Sequence, residues 1–390
     1  MNGNKNYHYT KFIFFIRYLA DALFYCYPAL YLASISINEG MIGTILSITT
    51  ITSLCMNPIW SIIVKNNKVN RILLVILSII EGGLIVAYGN IKNVETIMAL
   101  TCLMAIVASP YYNLLDGYAA GLCAKYNKEY SRIRVMGSTA YLVALLMGGI
   151  LLDWLGFRIL FLISGLLFIV TGILTTFLER YEINLEQKEQ PKRDYKAIIK
   201  NKWFILYCMV YVCTGSLTMT SDSFISLVFT KIRGISNGTY SFIHAGAILT
   251  EVITIYALGK FKKNYNLNKL FMMACVILFL RPFLISFTNL PIPVLIFATC
   301  IRGIGWGMVL FVNLKIIIKL VGLENTTTAV IILSIFQALF QFAMNNAIGY
   351  AIEYIGYRIP LLCISSIVLV SGSIYSLILI KNKRFNKIND

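Results

Sequence analysis

Three observations predict an all-α membrane protein. The chain of 390 residues is 58% hydrophobic and only 13% charged, with a mean hydropathy of +0.76, whereas a soluble domain carries about a quarter charged residues. Apolar runs long enough to cross about 30 Å of hydrocarbon recur along the whole length. A polar stretch near the middle divides those runs six and six. The predicted architecture is twelve transmembrane helices in two six-helix pseudo-repeats around a central cavity. A β-barrel is excluded, because its strands alternate with period two in segments of about ten residues.

In order, the predicted spans are 11–34, 41–64, 72–90, 96–124, 134–153, 159–179, 203–229, 239–260, 270–288, 292–320, 327–350 and 359–380. The first contains Arg17 and Asp21 and lacks a convincing small-residue cleavage site, so it reads as a helix and not a signal peptide. Lys and Arg gather in alternate loops: Lys65, Lys68 and Arg71, then Lys260, Lys262 and Lys263. The opposite loops hold little beyond Lys92, Arg158, Lys231, Arg233 and Arg358. This bias places both termini in the cytoplasm of a multi-pass cell-membrane protein. It also accounts for the net charge of +17 without nucleic acid as a partner. The longest loop, Glu179 to Lys202, reads ERYEINLEQKEQPKRDYKAIIKNK. The domains are therefore an N-terminal bundle at 1–179, a cytoplasmic linker at 180–202 and a C-terminal bundle with a short tail at 203–390.

Nine cysteines are scattered singly, and the two histidines, His8 and His244, form no cluster. No metal-ligand spacing, P-loop or nucleophile motif is present. Metal, cofactor and enzymatic chemistry are accordingly not expected.

The two halves resemble one another. Gly149–Ile159 reads GILLDWLGFRI and Gly349–Ile359 reads GYAIEYIGYRI, sharing at an offset of 200 two glycines, an acid (Asp153 or Glu353), an aromatic and an arginine. At an offset of 198, Gly40 matches Gly238, Lys65 matches Lys263, Asn66 matches Asn264, Asn70 matches Asn268 and Arg71 matches Lys269. Two matches at nearly one offset signal a parallel repeat, a transporter architecture with its site near the midplane.

Ionisable residues inside the spans are few: Arg17, Asp21, Glu81, Asp116 and Arg134, then Asp222, Glu251, Arg281 and Arg302, with Lys315 near an end. Each costs about 2.5–3.5 kcal/mol on insertion scales unless paired, and such residues usually face a cavity. Asp116 and Arg134 lie 18 positions apart, symmetric about Lys125. A turn centred there brings both charges to similar depth; a later turn leaves Arg134 shallower. Tyr141, two turns beyond Arg134 on the same face, is placed to stack on a ligand ring. Arg17 and Asp21, four apart, share a helix face and can pair. Glu81, beside Gly82 and Gly83, receives no role. Glu251 is the candidate proton carrier, with Arg281 or Arg302 as its ion partner. Asp222, in the run TMTSDS, is expected to line the cavity or its outer mouth.

These residues resemble the lactose-permease-like branch of the major facilitator superfamily, the oligosaccharide/proton symporters and their relatives. The core match is Asp116 followed 18 residues later by Arg134 within YSRIRVMG, where Arg132, Arg134 and Gly137 fall on the R-x-R-x-x-G pattern. The segment GYAIEYIGYRIPLL is similar to the family's helix 11 to 12 junction, and Arg281 to its helix 9 arginine. The resemblance implies that Asp116 and Arg134 bind sugar hydroxyls, with Tyr141 where the family has a stacking tryptophan. Three departures stand out. Arg302 and Gly305 lie near positions where the family has a histidine and a proton-binding glutamate. Glu251 lies about one turn from a family acid. The loop signature G-x-x-x-D reads Ser61 and Lys65 here.

The expectation is a secondary transporter of a small polar solute, sugar or nucleoside-like, in proton symport by alternating access. Its partners are the solute, a proton and the lipid bilayer, for a chain acting as a monomer. The alternatives are an exporter of amphipathic compounds, suggested by the aromatic and Met content, and a non-transporting membrane sensor.

Overall fold

The computed structural model describes residues 3–64, 67–179, 195–261 and 265–381, and every element among them is helical. In chain order these are α1 (Gly3–Tyr25), α2 (Pro28–Ser34), α3 (Glu39–Ile63), α4 (Asn67–Tyr88), α5 (Val94–Ala108), α6 (Tyr111–Tyr126), α7 (Ser131–Thr175), α8 (Tyr195–Lys200) and α9 (Lys202–Leu227). A π-helical turn at Val228–Ile232 follows, then α10 (Asn237–Lys260), α11 (Leu267–Ser286), α12 (Ile292–Val321), α13 (Thr326–Ile355) and α14 (Arg358–Lys381). Among the described residues, eleven helical stretches are long and apolar enough to cross a membrane. Lys65, Asn66, Lys262, Lys263, Asn264, most of the 180–202 linker and the tail after Lys381 lie outside the described residues.

Local chemistry sets the boundaries. Asn93, Asn201 and Asn266 cap the starts of α5, α9 and α11, each accepting from a backbone N–H two or three residues on at 3.0–3.2 Å. Pro28 occupies the first position of α2, where its missing N–H costs nothing. Asn127 ends α6 in the left-handed region at φ 49°. Helix α7 runs for 45 residues, which uninterrupted would extend about 67 Å, more than twice the hydrocarbon thickness. Gly156 breaks it at φ 74°, ψ 172°, and Gly356 ends α13 at φ 74°, ψ 178°. Both values lie where only glycine sits without strain. The repeated motif therefore encodes the same backbone break twice, and in α7 it separates the fifth and sixth sequence-read spans.

The chain divides into two compact units. The described residues among 1–37, 48–186 and 236–242 form unit one; those among 38–47, 187–235 and 243–390 form unit two. The start of α3 thus belongs with unit two and the start of α10 with unit one. In unit one, Ile13 and Phe14 of α1, Leu74 of α4, Leu115 of α6 and Ile133 of α7 are fully buried in a common core. Close approach of α4 and α7 depends on Gly82 and Gly165. A Cβ on either would press on the other's carbonyl oxygen, at 2.5 and 2.6 Å. In unit two, Phe271 packs between Tyr207 and Tyr375, with ring centroids 5.3 and 5.6 Å away. The two hydroxyls find Asn313 (2.8 Å) and Asn268 (2.9 Å), as buried tyrosines require.

The repeat acids have matching work. Asp153 Oδ1 accepts from the Gly238 amide (2.9 Å) and Oδ2 from the Ser236 hydroxyl (2.7 Å), at the start of α10. Glu353 accepts from the Gly40 amide (3.2 Å) and from Asn38 (2.8 Å), at the start of α3. Each carboxylate sits on a helix N-terminus, where unpaired N–H groups and the helix dipole favour negative charge. The two sequence repeats are therefore partners: the acid of one motif caps the helix that opens with the glycine of the other.

A third carboxylate anchor lies just past the end of α7. Glu179 receives Lys125 Nζ (2.6 Å), the Tyr126 hydroxyl (2.7 Å) and Asn6 Nδ2. Burial works against its charge, but the bonds from Lys125 and Tyr126 outweigh it and hold the carboxyl below its ordinary pKa.

Two outcomes follow from these anchors. Replacing Asp153 or Glu353 by Ala should lower stability in detergent by about 1 kcal/mol each, the worth of a helix cap, read as a fall in thermal unfolding temperature. Glu179 has a depressed folded-state pKa, so its contribution is present above the ordinary carboxylate pKa and is lost as pH falls through the folded value. Acidification should lower the unfolding temperature of the native chain more than that of Glu179→Gln; equal slopes would remove this role.

Candidate functional site

Asp116 and Arg134 flank the turn between α6 and α7. The turn comes later than Lys125: α6 ends at Tyr126 and α7 begins at Ser131. Asp116 lies ten residues before its helix end and Arg134 three residues after its helix start. The mismatch of seven residues amounts to about 10 Å of depth. This is the later of the two turn positions, the one that leaves Arg134 shallower, and among the described residues no ion pair joins the two charges. Tyrosines stand between them. Arg134 Nη1 meets the Tyr18 hydroxyl, and its guanidinium lies 4.8 Å from the Tyr18 ring centre. Gly137 provides the room, since a Cβ there would stand 3.0 Å from that ring. Tyr130, in the turn, faces Asp116; burial and the adjacent carboxylate push its pKa up, so the phenol stays protonated and able to donate. Asp116 Oδ1 is buried with no hydrogen-bond partner among the described residues. Tyr141 is half-buried, its hydroxyl 3.1 Å from Cys26 Sγ.

The sequence reading passed over Tyr18 and Tyr130. Adjacency to Arg17 and to the S-R-I-R run was the available signal, but tyrosines are common throughout this chain and carry no charge to draw notice.

Deeper in unit one, Arg17 takes a different partner from the expected one. Its Nη2 is 2.7 Å from Glu81 Oε2 on α4 and 4.0 Å from Asp21 Oδ1 on its own helix. The guanidinium lies between the Tyr111 ring, at 3.7 Å, and the Phe168 ring, at 4.0 Å, an arrangement that holds a cation by its faces. Tyr25 donates to Glu81 Oε1 at 2.9 Å. Glu81, without a role in the sequence reading, is thus the principal counter-ion. The i,i+4 pattern shows only that Asp21 can reach Arg17. Gly82, by admitting α7, brings α4 and its neighbouring carboxylate into this interior.

In unit two the hub is Asp222 of α9. Arg281 Nη1 from α11 meets its Oδ1, and Arg302 Nη2 from α12 meets its Oδ2. Glu251 of α10 is peripheral, with Oε2 3.5 Å from Arg302 Nη1. Gly303 lets α12 close on the Ala247 carbonyl of α10, which carries Arg302 towards both acids. Arg302 also lies 5.7 Å from the Trp306 ring. Two acids and two arginines balance here.

The arrangement predicts unequal effects. Asp222→Asn leaves two buried guanidiniums without their shared anion and should lower stability by about 3–5 kcal/mol. Glu251→Gln removes one long contact and should cost about 1 kcal/mol or less. Thermal unfolding of the two purified variants measures the difference; equal losses would contradict the hub role of Asp222.

Comparison with known proteins gives a consistent picture. A maltose permease of Geobacillus stearothermophilus is 22% identical over 342 residues, covering 87% of this chain and 84% of the relative. A point mutant of the nucleoside transporter NupG superposes with a TM-score of 0.85 at 14% identity, covering 95% of this chain and 99% of that one. A bacterial homologue of the human lysosomal transporter Spinster, in an inward-facing, occupied conformation, superposes with a TM-score of 0.72 at 13% identity, each chain 95% covered. The family model described as Major Facilitator Superfamily matches residues 12–344. With most of its length matched by that model and its helices carrying buried ion clusters, this multi-pass membrane protein belongs to the major facilitator superfamily.

Proposed function

We propose that this protein is a secondary active transporter that carries a small polar solute, of the sugar or nucleoside class, together with a proton by alternating access. The observation that carries the reading is the group formed by Tyr18, Asp116, Tyr130 and Arg134 in unit one. It offers guanidinium and phenol donors beside a carboxylate with an unused oxygen. An arginine and a carboxylate separated in this way suit a solute that carries several hydroxyls, the arginine donating at one end and the carboxylate accepting at another. The buried, unused oxygen of Asp116 favours a ligand that brings a hydroxyl to it. Tyr141, farther along α7, supplies a ring for stacking on the solute. The permease and nucleoside-transporter relatives support the same solute classes.

The coupling proton is assigned to the buried ion clusters. Glu251 and Asp21 are each held by a single long ion contact, 3.5 and 4.0 Å, so either exchanges an ion partner for a proton more readily than Asp222 or Glu81. The basic loops support a cell-membrane location with both termini in the cytoplasm. No enzymatic role is proposed.

Uptake of radiolabelled maltose and uridine into proteoliposomes, with and without an imposed pH gradient, tests the reading. The gradient should drive accumulation of one of them. Asp116→Asn and Arg134→Lys should each reduce it about 10- to 100-fold, the worth of one or two charged hydrogen bonds. Undiminished transport by both variants would remove the binding assignment; accumulation indifferent to the gradient would remove the symport.

A further inference from the structure

The buried charges of unit one do not balance. In its buried ion cluster Arg17 stands alone against Asp21 and Glu81, one cation to two potential anions. In unit two the corresponding count is even, Arg281 and Arg302 against Asp222 and Glu251. An uncompensated carboxylate in a low-dielectric interior is costly, and the cheapest remedy is a proton.

We infer that Asp21 is the group in this protein that takes up and releases a proton, with Glu81 as the permanent counter-ion of Arg17. The inference rests on the transport reading above and names the proton site within it. Glu81 is fully buried, and both its oxygens accept from donors, Arg17 Nη2 at 2.7 Å and the Tyr25 hydroxyl at 2.9 Å. Arg17 is fully buried and held by two rings, with Tyr111 at 3.7 Å and Phe168 at 4.0 Å from its guanidinium. Asp21 is left with a 4.0 Å approach to a guanidinium that Glu81 already claims. Its side chain retains 16% exposure, against none for Arg17 and Glu81. The groups facing it are Arg17, Tyr18, Tyr25 and Cys26 from α1 and its C-terminal end, Glu81 from α4 and Tyr112 from α6. Asp116 of α6 lies apart from this cluster, beside Tyr130, in the proposed solute site.

The step is a proton moving from water onto an Asp21 carboxylate oxygen, with no other bond formed or broken. Its effect reaches the solute site through Tyr18. That residue sits on the same turns of α1 as Arg17 and Asp21 and meets Arg134 directly. Loading Asp21 removes one negative charge from the surroundings of that tyrosine and arginine, which links proton occupancy to solute binding.

Infrared difference spectroscopy on the purified protein without solute tests the site independently of what is carried. Between mildly acidic and alkaline buffer, in the range where Glu179 and the exposed carboxylates stay ionised, the native protein should show a protonated-carboxyl band that shifts in deuterated water. Asp21→Asn should lose it and Asp21→Glu should keep it, the second variant separating loss of the group from loss of the fold. Glu81→Gln should also lose the band, because Arg17 then pairs with Asp21 alone, one cation to one anion. Persistence of the band in Asp21→Asn, or its loss in Glu251→Gln or Asp116→Asn, would overturn the assignment. Should the band behave as stated while neither maltose nor uridine is taken up, the solute class fails and the proton site stands.

Discussion

A charge inside hydrocarbon has to meet its opposite, and that requirement shapes the interior of this protein. Every arginine in the two buried clusters touches a carboxylate from another helix: Arg17 from α1 meets Glu81 of α4, and Arg281 and Arg302 from α11 and α12 meet Asp222 of α9. These contacts run across helices because a pair confined to one helix is limited in reach. Asp21 illustrates the limit, lying on the correct face of α1 yet 4.0 Å from Arg17. Once a carboxylate from α4 is nearer, the local partner becomes secondary.

Glycine makes such meetings possible. Gly82 follows Glu81, and Gly303 follows Arg302; each admits a neighbouring backbone that a methyl group would push away. Small residues are the usual means of bringing helices together where lipid removes the hydrophobic drive between them. Here they serve a second end, since the helix that comes close also brings a charge to its partner.

The sequence repeat acquires a meaning that neither copy carries alone. Read along the chain, GILLDWLGFRI and GYAIEYIGYRI are two versions of a helix ending, and Gly40 and Gly238 two versions of a helix start. In the structure Asp153 holds the amide of Gly238 and Glu353 that of Gly40. A carboxylate at a helix N-terminus answers exposed N–H groups with charge, and the pseudo-symmetric chain has placed this solution twice.

Class and span positions were legible from hydropathy, because a helix in lipid satisfies its backbone internally and needs only length and apolar side chains. The glycines of the repeat were legible for a similar reason: a backbone angle near φ 74° admits little else. The identities of the buried ions were visible too, as exceptions in apolar runs. Their pairing was not. Whether Arg17 joins Asp21 or Glu81, whether Asp116 stands level with Arg134, and which acid serves both arginines of unit two depend on where turns fall and how closely helices pack. A shift of a few residues in the turn after Tyr126 moves Arg134 by about 10 Å, and no periodicity in the sequence records that shift. The chain by itself determined that these charges fall within long apolar helices; the tertiary structure decided which of them meet, because close contact between charges is set by helix packing and not by position along the sequence.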